Sequence, residues 1–235
     1  MATRSAPVSA PAPAPVWDPA IRLFHWLLVA LIAFSWWSGE QHDLERHRLS
    51  GYGILALLVF RVYWGFFGPA PARFSSFVRG PRVVLAYLKS LGSRHGPHAD
   101  GHNPLGGWSV IAMLLAVSAM VAAGLFSSDI DMLYDGPLAT YLTFDQSSAA
   151  ADLHSTIFNV VLALVGLHVV AVLFYLVWKR QNLVLPMLTG RRAGAEGNAA
   201  NRRWSPVRAL VGIAIAVAFA WAVSTGFQFG NAPAY

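Results

Sequence analysis

The sequence of 235 residues contains no cysteine. This absence excludes disulfide bonds, iron–sulfur clusters held by thiolates, and the C-x-x-C-H motif that attaches c-type haem. Any haem in this protein must therefore be bound noncovalently, and any iron must be held by His, Met or Tyr.

Charged residues are also scarce, at 12% of the chain, whereas 56% of the residues are hydrophobic. Soluble domains carry about twice that share of charge. Five stretches are long enough to cross a bilayer, which takes about 20 mostly apolar residues. They are residues 21–39, 49–67, 105–128, 153–178 and 209–229. Because backbone polar groups in lipid must be satisfied within their own segment, we predict an all-α integral membrane protein.

The net charge of +6 would suit a nucleic-acid-binding protein, but the distribution of the charges does not. If the N-terminus is cytoplasmic, all 17 Lys and Arg except Arg46 and Arg48 lie inside or near the inner helix ends. We therefore expect a bacterial inner-membrane protein with a periplasmic C-terminus, whose basic clusters face anionic lipid. The predicted outer loops are acidic, which would attract a basic partner or simply mark solvated loops.

Composition divides the chain into a tail, a core, a linker and a last helix. The predicted core is a four-helix transmembrane bundle, beginning at Asp18-Pro19, an N-cap followed by proline at the first helical position. Within it we expect an amphipathic helix on the inner surface at 76–91 and a long outer loop at 127–150. The predicted units are a disordered Ala/Pro-rich tail (1–16), the core (17–178), a basic cytoplasmic linker (179–205), and a fifth transmembrane helix with a short periplasmic tail (206–235).

The fifth helix contains no histidine, and its small residues suit close helix packing. They are Gly212, Ala214, Ala216, Ala218 and Ala220. We detect no sequence repeat along the chain.

Four histidines lie on three of the apolar segments. His154 and His168 are 14 residues apart, almost four helical turns, so their rings leave one face of a helix about 21 Å apart. The predicted topology places His47 level with His154 near the outer surface, and His25 level with His168 at a deeper, inner level. Each pair draws its members from two helices, as cofactor sites inside helix bundles do.

Two haem b groups are the cofactors that best suit two pairs of histidines, because two axial imidazoles give a low-spin iron suited to electron transfer. Zinc would require three or four ligands at each site. Taken singly, each histidine is better explained as a hydrogen-bonding residue between helices, and His47 as a polar residue at a helix start. Four histidines at matched depths favour a functional role, since ionisable groups in a membrane are costly.

Three arginines near the expected haem levels, Arg22, Arg48 and Arg61, are candidate partners for haem propionates. Arg61 interrupts the second apolar segment, and it could instead extend to the interface. Gly51, one turn from His47, would leave room for a flat macrocycle, although tight helix packing would also explain it.

Six short motifs are similar to those of one known family. They are Arg22-Leu-Phe-His25-Trp26, His47-Arg-Leu-Ser-Gly51, Arg61-Val-Tyr-Trp64-Gly65, Arg73-Phe-Ser-Ser-Phe77, Gly101-His102-Asn103-Pro104-Leu-Gly106 and Asn182-Leu-Val-Leu-Pro-Met187. In their order and spacing the chain resembles the prokaryotic cytochrome b561 family over about residues 16–190. The cytochrome b subunit of nickel–iron hydrogenases belongs to the same family. The resemblance implies a four-helix core that binds two b haems, with His154 and His168 standing where the family's fourth helix carries its ligands.

The resemblance further implies electron transfer between a periplasmic partner and the quinone pool. We expect the outer haem, on His47 and His154, to exchange electrons with a c-type cytochrome or a hydrogenase-like protein. The inner haem, on His25 and His168, would exchange them with quinone. His102 and Asn103 are candidate contacts for a quinone carbonyl, although they would also suit an ordinary turn before a helix.

Three other functions remain open, and the chain could form a homodimer. A superoxide:quinone oxidoreductase would favour a positively charged funnel, whereas the predicted outer face carries many acids around Arg46 and Arg48. A transporter with histidine relays would contain no haem and be colourless. A structural anchor would tolerate loss of its histidines.

Overall fold

The structure is a computed structural model that describes residues 14–93, 101–128, 135–192 and 204–228. Its helices are α1 (Pro19–Glu40), α2 (Leu44–Phe67), α3 (Phe74–Phe77), α4 (Pro81–Ser90), α5 (Pro104–Leu125), α6 (Phe144–Val177), α7 (Val184–Thr189) and α8 (Pro206–Ser224). Two short strands, β1 (Ala14–Pro15) and β2 (Arg191–Arg192), and two 3₁₀ turns, Ala70–Ala72 and Ala139–Tyr141, complete the described elements.

Five of the helices, α1, α2, α5, α6 and α8, are long and apolar enough to cross a membrane. This result confirms the predicted all-α membrane fold. Three of the five begin in the same way, with a capping side chain followed by proline. Asp18 accepts a hydrogen bond from the amide of Ile21, Asn103 from that of Gly106, and Ser205 from that of Arg208. The predicted start of the first helix at Asp18-Pro19 is confirmed.

The fourth long helix begins earlier than we predicted. α6 starts at Phe144, where Thr143 and Gln146 form a capping box, so residues 144–150 are its first turns and not part of a loop. With 34 residues α6 is about 51 Å long, well beyond the hydrocarbon core of about 30 Å. Residues 129–134 of the predicted loop lie outside the described residues.

The long helices form two hairpins, α1–α2 and α5–α6, with α8 added at the side of α2. α2 packs against α1, α5 and α8, which explains how this least apolar of the five spans can contain Arg61. α6 packs closely against α5 and stands apart from α1 and α2. A space therefore separates α6 from the first hairpin.

We call the end of the bundle that holds His47 and His154 the upper end, and the level of His25 and His168 the lower end. One hydrophobic cluster, which includes Ile54 and Val161, packs below the upper histidines. Val161 is 2% exposed and lies seven residues from each histidine of α6. Apolar side chains therefore lie between the two levels.

Short elements cover the lower end. The segment 76–91, expected to be one amphipathic helix, instead contains the end of α3 and the separate helix α4, because Gly80 and Pro81 interrupt it. The hydroxyls of Tyr87 in α4 and Tyr175 in α6 are 2.5 Å apart, which ties α4 to the bundle.

The end of the predicted tail forms backbone hydrogen bonds with part of the predicted linker. β1 pairs antiparallel with β2, and the amides of Val16 and Trp17 donate to the carbonyl of Gly190, at 2.7 and 3.2 Å. Residues 14–16 are therefore not disordered. The rest of the tail, 1–13, and of the linker, 193–203, lies outside the described residues.

The fifth helix, α8, contacts α2 through residues four apart. Gly212, Ala216 and Ala220 are buried, whereas Ala214 and Ala218 are exposed, so only part of the predicted small-residue stripe is used. A Cβ atom at Gly212 would lie 2.5 Å from Cδ1 of Tyr63. Glycine at this position thus sets how closely α8 can approach α2.

We expect Gly212→Leu to weaken the packing of α8 on α2 by about 1–3 kcal/mol, because the added side chain has no space. The thermal unfolding temperature of the purified protein in detergent should fall by several degrees. Ala214→Leu, on the exposed face of the same helix, is the matched control and should leave this temperature unchanged. Equal unfolding temperatures for the two variants would show that the close approach at Gly212 does not stabilise the fold.

Candidate functional site

The four predicted histidines face each other in two pairs across the space between α6 and the first hairpin. The ring centroids of His47 and His154 are 5.8 Å apart, and those of His25 and His168 are 6.5 Å apart. The structure thus brings together the same partners, at two levels, that the helix spacing predicted.

The distances within the pairs suit a metal held between two imidazoles. A metal–imidazole bond is about 2 Å long, so two rings on opposite sides of one ion have centroids about 6 Å apart. In the ranges that the structure describes, no three His, Cys, Asp or Glu residues come together in a group that could hold a metal. Two imidazoles leave the other positions of the ion to a planar ligand, and haem is such a ligand.

A cavity of about 420 Å³ adjoins the upper pair and is large enough for a cofactor. Its lining includes His47 and His154 together with Arg48 and Gly51. No atom lies within 4 Å of the position that a Cβ atom of Gly51 would take. Arg48 and Gly51 therefore line the same cavity as the upper histidine pair.

Backbone carbonyl groups orient both upper imidazoles. Nδ1 of His47 is 2.8 Å from the carbonyl oxygen of Ser35, and Nδ1 of His154 is 2.8 Å from that of Met120. A carbonyl can only accept, so each Nδ1 must donate its hydrogen. The lone pair of each Nε2 is then free to bind a metal.

At the lower level, four buried polar side-chain atoms have no hydrogen-bond partner among the described residues. They are Nε of Arg22, Nδ1 of His25, Nη1 of Arg61 and Nδ1 of His102. Buried polar groups without partners are costly, so their concentration at one level indicates that a polar ligand binds there. The propionates of a haem would be such a ligand.

Arg61 is buried and does not reach the interface, contrary to one of the two explanations considered above. Its side chain is 3% exposed, and its guanidinium lies 4.8 Å from the ring centre of Phe74 and 5.9 Å from that of Phe77. A second atom of Arg22, Nη2, donates to the carbonyl of Leu188. Both arginines are therefore fixed in place and retain an unused donor.

His102 lies between two aromatic rings, with centroid distances of 4.6 Å to both Trp17 and Phe77. Burial, together with the smaller effect of the positive charge of Arg61, lowers the pKa of His102 to about 3. His102 is therefore neutral at physiological pH. Asn103 has a structural role: its side chain caps α5 and donates to the hydroxyl of Tyr175 at 2.9 Å.

Asp18 has a second role besides that of the N-cap predicted from the sequence. Asp18 is 8% exposed, and its Oδ2 accepts a hydrogen bond from Nε1 of Trp64 at 3.3 Å. Burial raises the pKa of Asp18, while its hydrogen bonds and the nearby Arg61 oppose the shift. Asp18 is thus the acidic side chain that interacts electrostatically with the buried Arg61. Asp18 and Arg61 are 43 residues apart in sequence, so no local motif connects them.

A family model described as prokaryotic cytochrome b561 matches residues 16–190, which is about three quarters of the chain. No curated protein and no solved structure matches significantly. The matched range contains both histidine pairs and excludes α8.

The low pKa of His102 predicts a loss of stability in acid. The folded protein resists protonation of His102, whereas the unfolded chain binds that proton below about pH 6.5, so stability falls as pH drops from there towards 3. The His102→Phe variant has no such proton to bind, so between pH 6.5 and 5 it should lose less stability than wild type, by up to about 2 kcal/mol. Thermal unfolding of both proteins at pH 7 and at pH 5 measures this effect. An equal drop in unfolding temperature for the two proteins would contradict it.

Proposed function

The chain belongs to the prokaryotic cytochrome b561 family of membrane-embedded, b-type electron-transfer cytochromes, and we propose that it moves electrons between a periplasmic redox protein and the quinone pool. The observation that carries the proposal is the presence of two facing histidine pairs at different depths of one bundle. A single pair would serve one cofactor near one surface. Two pairs, to each of which α6 contributes one histidine, suit a path for electrons across the membrane.

We assign His47 and His154 to an upper haem and His25 and His168 to a lower one. Each bound haem would supply reversible one-electron transfer at its iron. The chain's own residues hold the imidazoles in opposed positions, direct Nε2 of each upper ring away from its carbonyl partner, and exclude water with the apolar layer at Ile54 and Val161. This arrangement favours electron transfer over reactions that require an open coordination position.

The propionates of the two haems would have different partners. Arg48 lines the upper cavity, whereas the unused donors of Arg22 and Arg61 lie at the lower level. Bidentate pairing with a carboxylate suits a guanidinium. For Arg61 such a pair would also give its buried Nη1 atom a hydrogen-bond partner, which would offset the free-energy cost of burying that atom without one.

Quinone is our proposed electron acceptor or donor at the lower end. His102 supports this assignment because it is neutral, is enclosed by Trp17 and Phe77, and has an unpartnered Nδ1. A neutral imidazole donates or accepts one hydrogen bond, so it suits the carbonyl or the hydroxyl of a quinone ring. Asn103 would act by fixing the start of α5 beside His102, since its side chain caps that helix.

The charges support a cytoplasmic lower end and a periplasmic upper end, in a bacterial inner membrane. Glu40 and Asp135 line the upper cavity, and Arg46 pairs with Asp43 at 3.2 Å. This paired Arg46 adds little to a funnel for superoxide, whereas exposed acids suit a basic protein such as a c-type cytochrome. We therefore rank superoxide:quinone oxidoreduction below electron exchange with a protein.

We expect His168→Ala to remove the lower haem and stop quinone reduction, and His154→Ala to remove mainly the upper haem. A pyridine haemochrome assay and visible spectra of the purified variants would count the haems. His42→Asn is the control, because His42 is exposed, is outside both pairs, and has a positive φ of 55° that Asn tolerates. A colourless wild-type protein from cells supplied with haem would instead favour the histidine-relay transporter, and two haems retained in His168→Ala would disprove the ligand assignment.

Electron delivery to the upper end distinguishes a protein donor from superoxide. We expect a reduced basic c-type cytochrome to reduce the protein rapidly at low ionic strength, and the rate to fall steeply as salt screens the acidic surface. Stopped-flow spectra of the haem bands would measure the rates with each donor. Faster reduction by superoxide, with no dependence of the cytochrome reaction on salt, would reverse our ranking.

A further inference from the structure

Each upper histidine reaches a main-chain carbonyl inside a neighbouring helix, where carbonyls are normally covered. The two acceptors, Ser35 and Met120, each lie five residues before the last residue of their helix, α1 or α5. In an α-helix a side chain covers the turn that precedes its own Cα. The residue four positions after each acceptor therefore lies beside the approach to the carbonyl, and its size affects whether an imidazole can reach it; the carbonyl of Ser35 also accepts from the hydroxyl of Ser38, at 3.1 Å.

That residue is glycine in both helices. Gly39 follows Ser35 by four positions, and Gly124 follows Met120 by four positions. A Cβ atom at Gly39 would lie 3.2 Å from Nδ1 of His47, and one at Gly124 would lie 2.9 Å from Nδ1 of His154. A side chain at either position would push the imidazole away from its acceptor.

We propose that Gly39 and Gly124 are positioning residues that expose a backbone carbonyl to the ligand histidine of the next helix. We call each set of glycine, carbonyl and imidazole a glycine clasp: Gly39 with Ser35 and His47, and Gly124 with Met120 and His154. This inference rests on the proposed function, since it assigns the clasps to the ligands of the upper haem. The lower histidines have no such arrangement among the described residues, where Nδ1 of His25 lacks a partner.

The clasp fixes two properties of its imidazole. Donation from Nδ1 keeps the hydrogen off Nε2, so the ring is ready to bind iron without a change of tautomer. The same bond makes Nε2 a stronger electron donor, which favours ferric over ferrous iron. Loss of a clasp should therefore weaken haem binding and raise the reduction potential of the upper haem.

The two clasps occupy equivalent positions in the two hairpins, which argues against coincidence. Asp18-Pro19 begins the helix that contains Gly39, and Asn103-Pro104 begins the one that contains Gly124. In both cases the glycine follows the capping residue by 21 positions. Each hairpin thus has a capped ascending helix, a glycine near its end, and a histidine on the helix that returns.

The test compares Gly124→Ala and Gly39→Ala with Gly166→Ala, a matched control on α6 where no atom lies within 4 Å of the added Cβ. The readouts are the haem-to-protein ratio, the reduction potential of each haem, and the low-spin electron paramagnetic resonance signals. For Gly124→Ala we expect upper-haem affinity to fall about 10–100-fold, with a raised potential for the haem that remains. Gly39→Ala should show the same changes in smaller measure, because its added atom is less close. The lower haem and the control should match wild type.

Unchanged potentials and resonance signals for the upper haem in both alanine variants would overturn the inference. If Gly124→Ala does not accumulate, Gly39→Ala decides alone, since its closest contact of 3.2 Å permits folding with a small shift. Wild-type protein with no haem would disprove the proposed function itself. Wild-type protein with two haems, together with unaffected glycine variants, would disprove the clasps alone.

Discussion

The space between α6 and the α1–α2 hairpin is the constraint on which the other features depend. α6 contacts α5 closely and leaves room on its other side, where the two histidine pairs and the ring contact of Trp36 with Phe158 reach across. A helix bundle normally closes such a gap with interlocking side chains. Here the first hairpin and α6 present imidazoles at two levels, and the apolar layer around Val161 packs between them. The gap is therefore part of the design of a cofactor-binding bundle.

The two levels of the bundle hold their ligands by different means. At the upper level, backbone carbonyls satisfy both Nδ1 atoms, so the imidazoles are oriented by the fold alone. At the lower level, Arg22, His25, Arg61 and His102 retain unpartnered buried atoms. The upper level resembles a preformed site, whereas the lower level keeps polar atoms that, under the proposed function, the groups bound there would satisfy. The side chains of the two ends differ correspondingly: imidazoles oriented by carbonyls above, and unpartnered polar atoms near the rings of Trp17 and Phe77 below.

Much of this architecture follows from the sequence alone. Apolar run lengths locate the five spans, and Asp18-Pro19 marks the first helix start, because lipid and capping impose simple local rules. Hydropathy could not locate the start of α6, since Phe144 to Asp152 lie outside the apolar run and are set by the capping box at Thr143. The spacing of His154 and His168 predicts both levels. The contact of Asp18 with Trp64 depends on tertiary packing, and Gly39 and Gly124 look like ordinary helical glycines until the imidazoles are placed. The equal distance from Asp18 to Gly39 and from Asn103 to Gly124 was the available signal, although the chain shows no repeat in residue identity.

The apolar layer around Ile54 and Val161 has a consequence for energy conversion. The buried side chains that form this cluster are hydrophobic, so none of them can carry a proton. Under the proposed function, an electron that passed between the levels would not be accompanied by a proton on these side chains, and its passage would be electrogenic. Moving one electron across the full membrane changes its free energy by about 2.3 kcal/mol for each 100 mV of membrane potential, with a sign set by the direction of movement. Under the proposed function, the membrane voltage itself would thereby regulate the direction of electron flow through this bundle.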